Sequence, residues 1–256
     1  MAELKIHQFF CRSDNFGVLI HDDEFGVTAA IDTPDAATIR AALAEKGWSL
    51  THIFTTHHHG DHTAGHGTLK NETGCVIIGP EKEAESIPGI DKRVSEGSKF
   101  SFGGHQVCVL ETPGHTLGHV TYWLPDDNIA FVGDTLFSLG CGRLLEGDGA
   151  MMWQSLQKLM VLPKETLIYC GHEYSKSNAA FALDVEPNNV LLQERAEEIR
   201  ELRDAGLPTL PVSLAAELAQ NPFLRPDSPE IQERLGMVGH PLATIFSELR
   251  RLKDRF

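Results

Sequence analysis

The stretch Thr55-Thr56-His57-His58-His59-Gly60-Asp61-His62 decides how this sequence is interpreted. It follows an apolar, β-like run and precedes residues that are compatible with a helix, so we expect a loop between a strand and a helix. In an extended loop the first and third histidines project to one side and the second to the other. The aspartate and the last histidine then fall at the turn into the helix. Because histidine is the commonest metal-ligating side chain, the pattern predicts two incomplete pairs of metal ligands.

Three later residues are candidates to complete these two pairs. His115, Asp134 and His172 each come after the end of an apolar β-like run and stand beside a glycine that permits a tight loop. Strand ends at one edge of a sheet converge, so we expect these residues to lie near the histidine loop. Seven nitrogen and oxygen ligands without a thiolate suit two divalent ions, most readily zinc, with iron or manganese as alternatives. A carboxylate can bridge two ions, and Asp134 is the candidate for that role.

The rest of the chain divides into a strand-rich part and a helical part. Short β-like runs punctuated by Gly, Pro, Asp and Asn alternate with helical patterns up to about residue 185, which predicts an α+β fold. From about Asn188 the pattern changes to helix and loop. The predicted strands are Leu4–Phe10, Val18–His21, Val27–Ile31, His52–Thr55, Val76–Ile78, His105–Leu110, Val120–Leu124, Ile129–Val132 and Leu167–Tyr169. The predicted helices are Asp35–Lys46, Met151–Met160, Val190–Ala205, Ser213–Leu218 and Pro241–Phe256.

Composition excludes several classes of partner. The 22 Lys and Arg residues stand against 36 Asp and Glu residues, and the resulting net charge of −14 disfavours nucleic acid or an anionic membrane surface. No apolar run approaches the roughly 18 residues of a membrane-spanning helix. The five cysteines are odd in number and contain no C-x-x-C pair, which indicates a reducing compartment. We therefore expect a cytoplasmic protein, and a monomer, because no coiled-coil pattern demands assembly.

The seven candidate ligands, in their order and local context, resemble the ligand signature of the metallo-β-lactamase superfamily. Within it the chain is similar to the glyoxalase II (hydroxyacylglutathione hydrolase) family, and the resemblance covers essentially the whole sequence. The sequence segments that carry the resemblance to this family within the superfamily are Gly133-Asp134-Thr135-Leu136-Phe137, Gly140-Cys141-Gly142-Arg143, Gly171-His172-Glu173-Tyr174, Asn221-Pro222-Phe223-Leu224-Arg225 and Arg250-Arg251-Leu252-Lys253-Asp254-Arg255-Phe256.

The resemblance implies a four-layer αββα metallo-β-lactamase sandwich, expected over residues 1–170. A helical C-terminal domain, expected over residues 171–256, would contribute to the glutathione site. The resemblance also divides the ligands. It implies that the first metal is held by His57, His59 and His115, and the second by Asp61, His62 and His172, with Asp134 bridging them. Asp61 and Asp134 are the implied catalytic residues, acting with a metal-bound hydroxide.

The activity that the resemblance implies is that of a thioesterase. A metal-bridging hydroxide would hydrolyse S-D-lactoylglutathione, or a related 2-hydroxyacylglutathione, to glutathione and D-lactate, the second step of methylglyoxal detoxification. The implied substrate-binding residues are Arg143, Leu144, Leu145, Tyr174, Arg250 and Lys253. Residue spacing alone instead favours a structural role for the basic terminus, in which the cations of a solvated helix end complement the helix dipole.

Other members of the same superfamily provide the alternative functions. A persulfide dioxygenase is an oxidoreductase with one iron that also acts on glutathione derivatives. A lactonase or a β-lactamase would share the metals but not the basic terminus. Oxygen consumption with glutathione persulfide distinguishes the dioxygenase from the thioesterase, and a non-catalytic binding protein would not need all seven ligands.

Overall fold

The computed structural model of the protein describes residues 3–256, which form two compact units. The first unit contains the described residues up to Glu111 together with Thr116–Gly133, and the second contains Thr112–His115 and Asp134–Phe256. The strands of the first unit are β1 (Lys5–Cys11), β2 (Asn15–Asp22), β3 (Val27–Ile31), β4 (His52–Phe54), β5 (Val76–Pro80), β6 (Lys92–Val94), β7 (Lys99–Phe102), β8 (His105–Glu111), β9 (Val120–Leu124) and β10 (Ile129–Gly133). Its helices are α1 (Ala36–Lys46), α2 (Gly60–Thr63) and α3 (His66–Thr73).

The first unit is built around a six-stranded sheet in the order β1-β2-β3-β4-β5-β6. The first three strands are antiparallel, whereas β3 to β6 are parallel, and helices α1 and α3 lie in two of the connections between the parallel strands. Helix α1 begins after Asp35, whose carboxylate accepts the backbone N–H of Thr38, and ends at Gly47 in the left-handed conformation. These caps satisfy backbone groups that would otherwise have no partner.

A second run of strands in the first unit, in the order β10-β9-β8-β7, is antiparallel. Apolar side chains pack between it and the parallel strands, since the ring of Phe54 on β4 lies 5.3 Å from those of Phe100 and Tyr122. The buried hydroxyl of Tyr122 lies 2.8 Å from the carbonyl oxygen of Thr55, to which it donates. Leaving such a group unpaired costs about 1–3 kcal/mol, so this bond stabilises the end of β4, where the histidine loop begins.

The second unit is mainly helical. Its strands are β11 (Leu136–Phe137), β12 (Gly140–Cys141), β13 (Leu167–Cys170) and β14 (Val212–Ser213). Its helices are α4 (Gly149–Met160), α5 (Ser175–Val185), α6 (Val190–Asp204), α7 (Leu214–Gln220), α8 (Pro229–Leu235) and α9 (Leu242–Lys253). Helices α5 and α6 share a core with Leu139, and the ring of Phe223 lies between those of Phe181 and Phe246. Among the helices of residues 3–256, none combines the length and the hydropathy needed to cross a membrane.

The α+β class predicted from the sequence is confirmed, and most predicted elements are found within two or three residues of their expected bounds. Strands β6, β7, β11, β12 and β14 and helices α5 and α8 were not predicted from the sequence. Helix α5 was missed because its buried face includes polar residues such as Ser175 and Asn178, which obscure the apolar periodicity. The segment 221–229 contains a 3₁₀ turn at Pro222–Leu224, and α8 begins at Pro229.

Candidate metal centre

The histidine loop follows β4 at the carboxyl end of the parallel strands. Ile31, the last residue of β3, pairs with Phe54, the last residue of β4, so the segments that follow these two strands leave the same edge of the sheet. Loops at this edge are the usual place for ligand sites in parallel sheets. The predicted strand–loop–helix arrangement is confirmed, because the loop leads into the short helix α2.

The structure brings the four candidate ligands of this loop together. His57 Nε2 lies 3.1 Å from His59 Nδ1, and the ring centroids of His57 and His62 are 4.1 Å apart. His62 Nε2 lies 3.8 Å from Asp61 Oδ2. His57 and His62 are buried, whereas His59 and Asp61 are half-buried. The loop therefore presents a buried side and a side open to solvent.

Asp32, which was not predicted from the sequence, orients two of these candidate ligands, His62 directly and His57 through Thr56. It follows β3 directly and is buried. Its Oδ2 accepts from His62 Nδ1 and from the Thr56 hydroxyl, both at 2.8 Å, and the Thr56 oxygen in turn lies 3.0 Å from His57 Nδ1. A carboxylate on Nδ1 fixes the tautomer and leaves the lone pair on Nε2, as is common behind metal-ligating histidines. Asp32 could have been predicted from the sequence, because it is an aspartate after an apolar strand, the same feature that made Asp134 a candidate.

His66 lies behind the same loop and has a different role. Its two ring nitrogens each lie 2.7 Å from a threonine hydroxyl, that of Thr33 and that of Thr55. Burial, together with the neighbouring His62, lowers the pKa of His66 to about 3, so this ring is neutral. A neutral histidine whose two ring nitrogens are both hydrogen-bonded is a structural support behind the candidate ligands.

The second unit brings the other three candidate ligands together. Asp134 Oδ2 lies 3.5 Å from His115 Nε2 and 3.4 Å from His172 Nε2. His115 Nδ1 donates to the Arg143 carbonyl at 2.9 Å, so its lone pair is on Nε2, the nitrogen nearer to the aspartate. All three side chains are buried. Asp134 follows Gly133, whose φ of +47° favours glycine, and a Cβ there would lie 2.6 Å from Thr56 Oγ1.

The donor atoms fit divalent ions. Two ligands about 2.1 Å from a tetrahedral ion are about 3.4 Å apart, close to the spacings of 3.1 to 3.8 Å between neighbouring candidate donor atoms within each unit. Imidazole and carboxylate donors without a thiolate suit zinc, iron or manganese. Asp134 lies between two imidazole nitrogens, as a bridging carboxylate would. Groups of histidine and carboxylate side chains that could hold an ion occur among the described residues.

Two of the predicted substrate-binding residues, Arg143 and Tyr174, contact candidate ligands in the second unit. Arg143 is exposed, and its backbone carbonyl accepts the hydrogen bond from His115 Nδ1. Leu144 and Leu145 follow Arg143 on the same segment. The ring of Tyr174 stacks on His172, with centroids 4.8 Å apart and an interplanar angle of 4°. Leu145 is 60% exposed, so its side chain is available to a ligand from solvent.

The two remaining substrate-binding candidates lie on α9 and differ in burial. Arg250 is buried, and its terminal nitrogens donate to the Cys141 carbonyl at 2.7 Å and to Asp254 at 3.0 Å. Lys253 is half-buried and donates to the Ser177 carbonyl at 2.7 Å. Burial, together with the charges of Arg250 and Arg143, lowers the pKa of Lys253 to about 8. These three cations therefore form a local positive field within an acidic protein.

Cys141 does not have the properties of a nucleophile. Its thiol is buried, and burial raises its pKa to about 11 despite the opposing effect of Arg250. A reactive cysteine needs a lowered pKa and access to solvent, so Cys141 is a packed residue.

Two family models match adjacent parts of the chain. The model described as the metallo-β-lactamase superfamily matches residues 31–172, and the model described as the hydroxyacylglutathione hydrolase C-terminus matches residues 173–256. Relatives match over the full length. A hydroxyacylglutathione hydrolase of Brucella anthropi is 56% identical, covering 99% of this chain and 97% of that protein. One of Rhizobium meliloti is 54% identical over the whole of both chains.

Solved structures share the fold. The crystal structure of ETHE1 from Myxococcus xanthus has a TM-score of 0.68 and 26% sequence identity, covering 96% of each chain. The crystal structure of TTHA1623 in a di-iron-bound form has a TM-score of 0.56 and 25% identity, covering 64% of this chain and 89% of that one. Together with the histidine and aspartate groups, the metallo-β-lactamase fold indicates a dimetal site.

Proposed function

The chain belongs to the hydroxyacylglutathione hydrolase family of the metallo-β-lactamase superfamily, and on that premise we propose that it hydrolyses S-D-lactoylglutathione and related 2-hydroxyacylglutathiones. The products are glutathione and the hydroxy acid, D-lactate for the first substrate. The observation that carries this function is the identity of more than half over the full length with hydroxyacylglutathione hydrolases. The catalytic domain is proposed over residues 1–170 and the helical domain over 171–256, close to the boundary between the two family models.

The proposed dimetal site uses all seven candidate ligands, the four of the histidine loop together with His115, Asp134 and His172. One ion is assigned to His57, His59 and His115, and the other to Asp61, His62 and His172, with Asp134 as the shared ligand. The position of Asp134 Oδ2 within 3.5 Å of one ligand from each set supports this division. We further propose zinc as the resident metal, with iron or manganese as the alternatives that the same donors accept.

Two divalent ions held there would supply a water acidified to a pKa of about 7 and an electrophile for the thioester carbonyl. Asp61 and Asp134 would contribute carboxylate oxygens that orient the attacking oxygen. The leaving group is the glutathione thiolate, and because a thiol has a pKa of about 8.5 it departs near neutral pH without a strong general acid. This explains why the reaction needs no acidic side chain beside the leaving sulfur.

The chain's cations would hold the glutathione part of the substrate. Glutathione carries two carboxylates and one ammonium, so a local positive field is needed in a protein with a net charge of −14. Lys253 and Arg250 on α9 would bind the carboxylates of glutathione. Arg143, Tyr174 and the backbone of Leu144 and Leu145 would contact the peptide. Leu145 offers no ring or hydroxyl, so any contact from its side chain is purely apolar.

The remaining proposals concern the setting of the enzyme. We infer a monomer that acts in the cytoplasm on a small-molecule thioester, without nucleic acid or membrane as partner. Its five cysteines are unpaired and buried thiols, which supports a reducing compartment.

A direct assay tests the proposed activity. Purified protein loaded with zinc should remove the thioester absorbance of S-D-lactoylglutathione and release one free thiol for each bond cleaved. In a parallel reaction, glutathione persulfide should cause no uptake of oxygen. Oxygen uptake without thioester cleavage would replace the hydrolase with the dioxygenase, and inactivity of the metal-loaded protein on the thioester would overturn the proposal.

A further inference from the structure

Glu83 is a buried carboxylate without a role in the proposed reaction. It lies in the 3₁₀ turn Glu81–Glu83 that follows β5, and only 7% of it is exposed. Its Oε2 accepts the backbone N–H of His58 at 2.7 Å, and its Oε1 accepts the backbone N–H of Gly118 at 2.8 Å. Oε2 also lies 2.9 Å from His58 Nδ1. Burying a carboxylate is costly unless charge-assisted hydrogen bonds compensate it, and these bonds do so.

The two backbone groups that Glu83 binds belong to the two loops that carry the ligands of one proposed ion. His58 stands between His57 and His59, and Gly118 comes three residues after His115. The fit at Gly118 is close, because a Cβ there would lie 2.5 Å from Glu83 Cγ. One side chain therefore fixes the backbone of both loops at once.

We propose that Glu83 is a positioning residue for the ion assigned to His57, His59 and His115, because it holds the two ligand-bearing loops in register. It acts through the backbone and touches neither metal nor substrate. The inference rests on the proposed function, which assigns those three histidines to one ion. A residue that orients metal ligands typically changes metal affinity by about 10- to 100-fold when it is replaced.

The variant Glu83→Gln tests this role, since the amide keeps the shape of the side chain but offers one acceptor oxygen in place of two. The matched control is Glu81→Gln, an exposed glutamate on the same turn. The affinities for Co²⁺ and Zn²⁺ are measured by competition with a chromophoric chelator, and the visible absorption of the Co²⁺ form reports its coordination geometry. For Glu83→Gln we expect one ion to bind about 10- to 100-fold more weakly, with an altered Co²⁺ spectrum. The control should match the wild type. An unchanged affinity and spectrum in Glu83→Gln would overturn the proposal.

A second pair of variants decides the matter if Glu83→Gln fails to fold. Gly118→Ala disturbs the same contact from the other side, because its Cβ would displace the Glu83 side chain. Gly67→Ala on α3 is the matched control, because its Cβ would have no atom within 4 Å. Weakened binding of one ion in Gly118→Ala but not in Gly67→Ala supports the proposal, and equal binding in both overturns it. Failure of the wild type to bind two ions or to cleave the thioester would instead reject the proposed function, so the two failures are distinguishable.

Discussion

Replacing Asp32 with asparagine tests how the metal ligands are oriented. Asn suits the site because residue 32 has a φ of +54°, a region that asparagine tolerates. The Asp32 carboxylate accepts three hydrogen bonds of 2.8 Å, from Thr56 N, Thr56 Oγ1 and His62 Nδ1. The amide has one acceptor oxygen, so its NH₂ group must face at least one of these donors.

The magnitude follows from the bonds lost. A hydrogen bond to a charged group contributes about 1.5–3 kcal/mol, so Asp32→Asn should destabilise the metal-free protein by about 3 kcal/mol. For a chain of this size, that lowers the melting temperature by roughly 6–12 °C. Because His62 then loses the acceptor that fixes its tautomer, the affinity for one ion should fall by about 10- to 100-fold.

Calorimetry of the metal-free protein and chelator competition with zinc measure the two effects. Asp126→Asn removes an exposed carboxylate from the same unit and serves as the charge-matched control, with both quantities unchanged. If Asp32→Asn retains the wild-type zinc affinity, Asp32 does not orient the ligands, and the interpretation of the buried network is wrong.

Three further predictions concern other residues. Lys253→Ala should raise KM about tenfold with little change in kcat, and the wild-type KM should rise as the pH passes about 8 and Lys253 loses its charge; a change in kcat alone would contradict this. Asp134→Ala should lose one or both ions by elemental analysis and fall below detectable turnover, whereas two retained ions would refute the bridging role. Burial raises the pKa of Glu217 from 4.5 to about 7, so its contribution to stability is complete below pH 4.5 and is lost as the pH rises through 7. Relative to Glu217→Gln, the free energy of unfolding of the wild type should fall by about 3 kcal/mol between pH 4.5 and 8 in denaturant titrations, and a difference that does not vary with pH would contradict this.

Sequence patterns predicted those parts of the molecule whose determinants are local. Strands β3 and β9 have the predicted bounds, because short, mostly apolar runs flanked by turn residues mark buried strands. The short strand β6, Lys92–Val94, has no such run and is formed by its pairing with β5. Periodicity cannot reveal an element that depends on a neighbour distant in sequence.

The same distinction applies to the site. The histidine loop is recognisable because its ligands are adjacent in the chain. Asp32 contacts residues 24 and 30 positions away, and Glu83 contacts residues 25 and 35 positions away, so their partners are set by the sheet and not by local spacing. The candidate metal ligands could be proposed from the sequence, whereas the residues that hold them in place could be found only from the fold.

The most direct test of the central claim is a titration of metal-free protein with zinc, followed by the rate of S-D-lactoylglutathione hydrolysis at each metal content. If the seven ligands form one dimetal site, kcat/KM should rise until two ions are bound per chain and then stay constant. Full activity with one ion per chain, or no hydrolysis with two, would contradict the account.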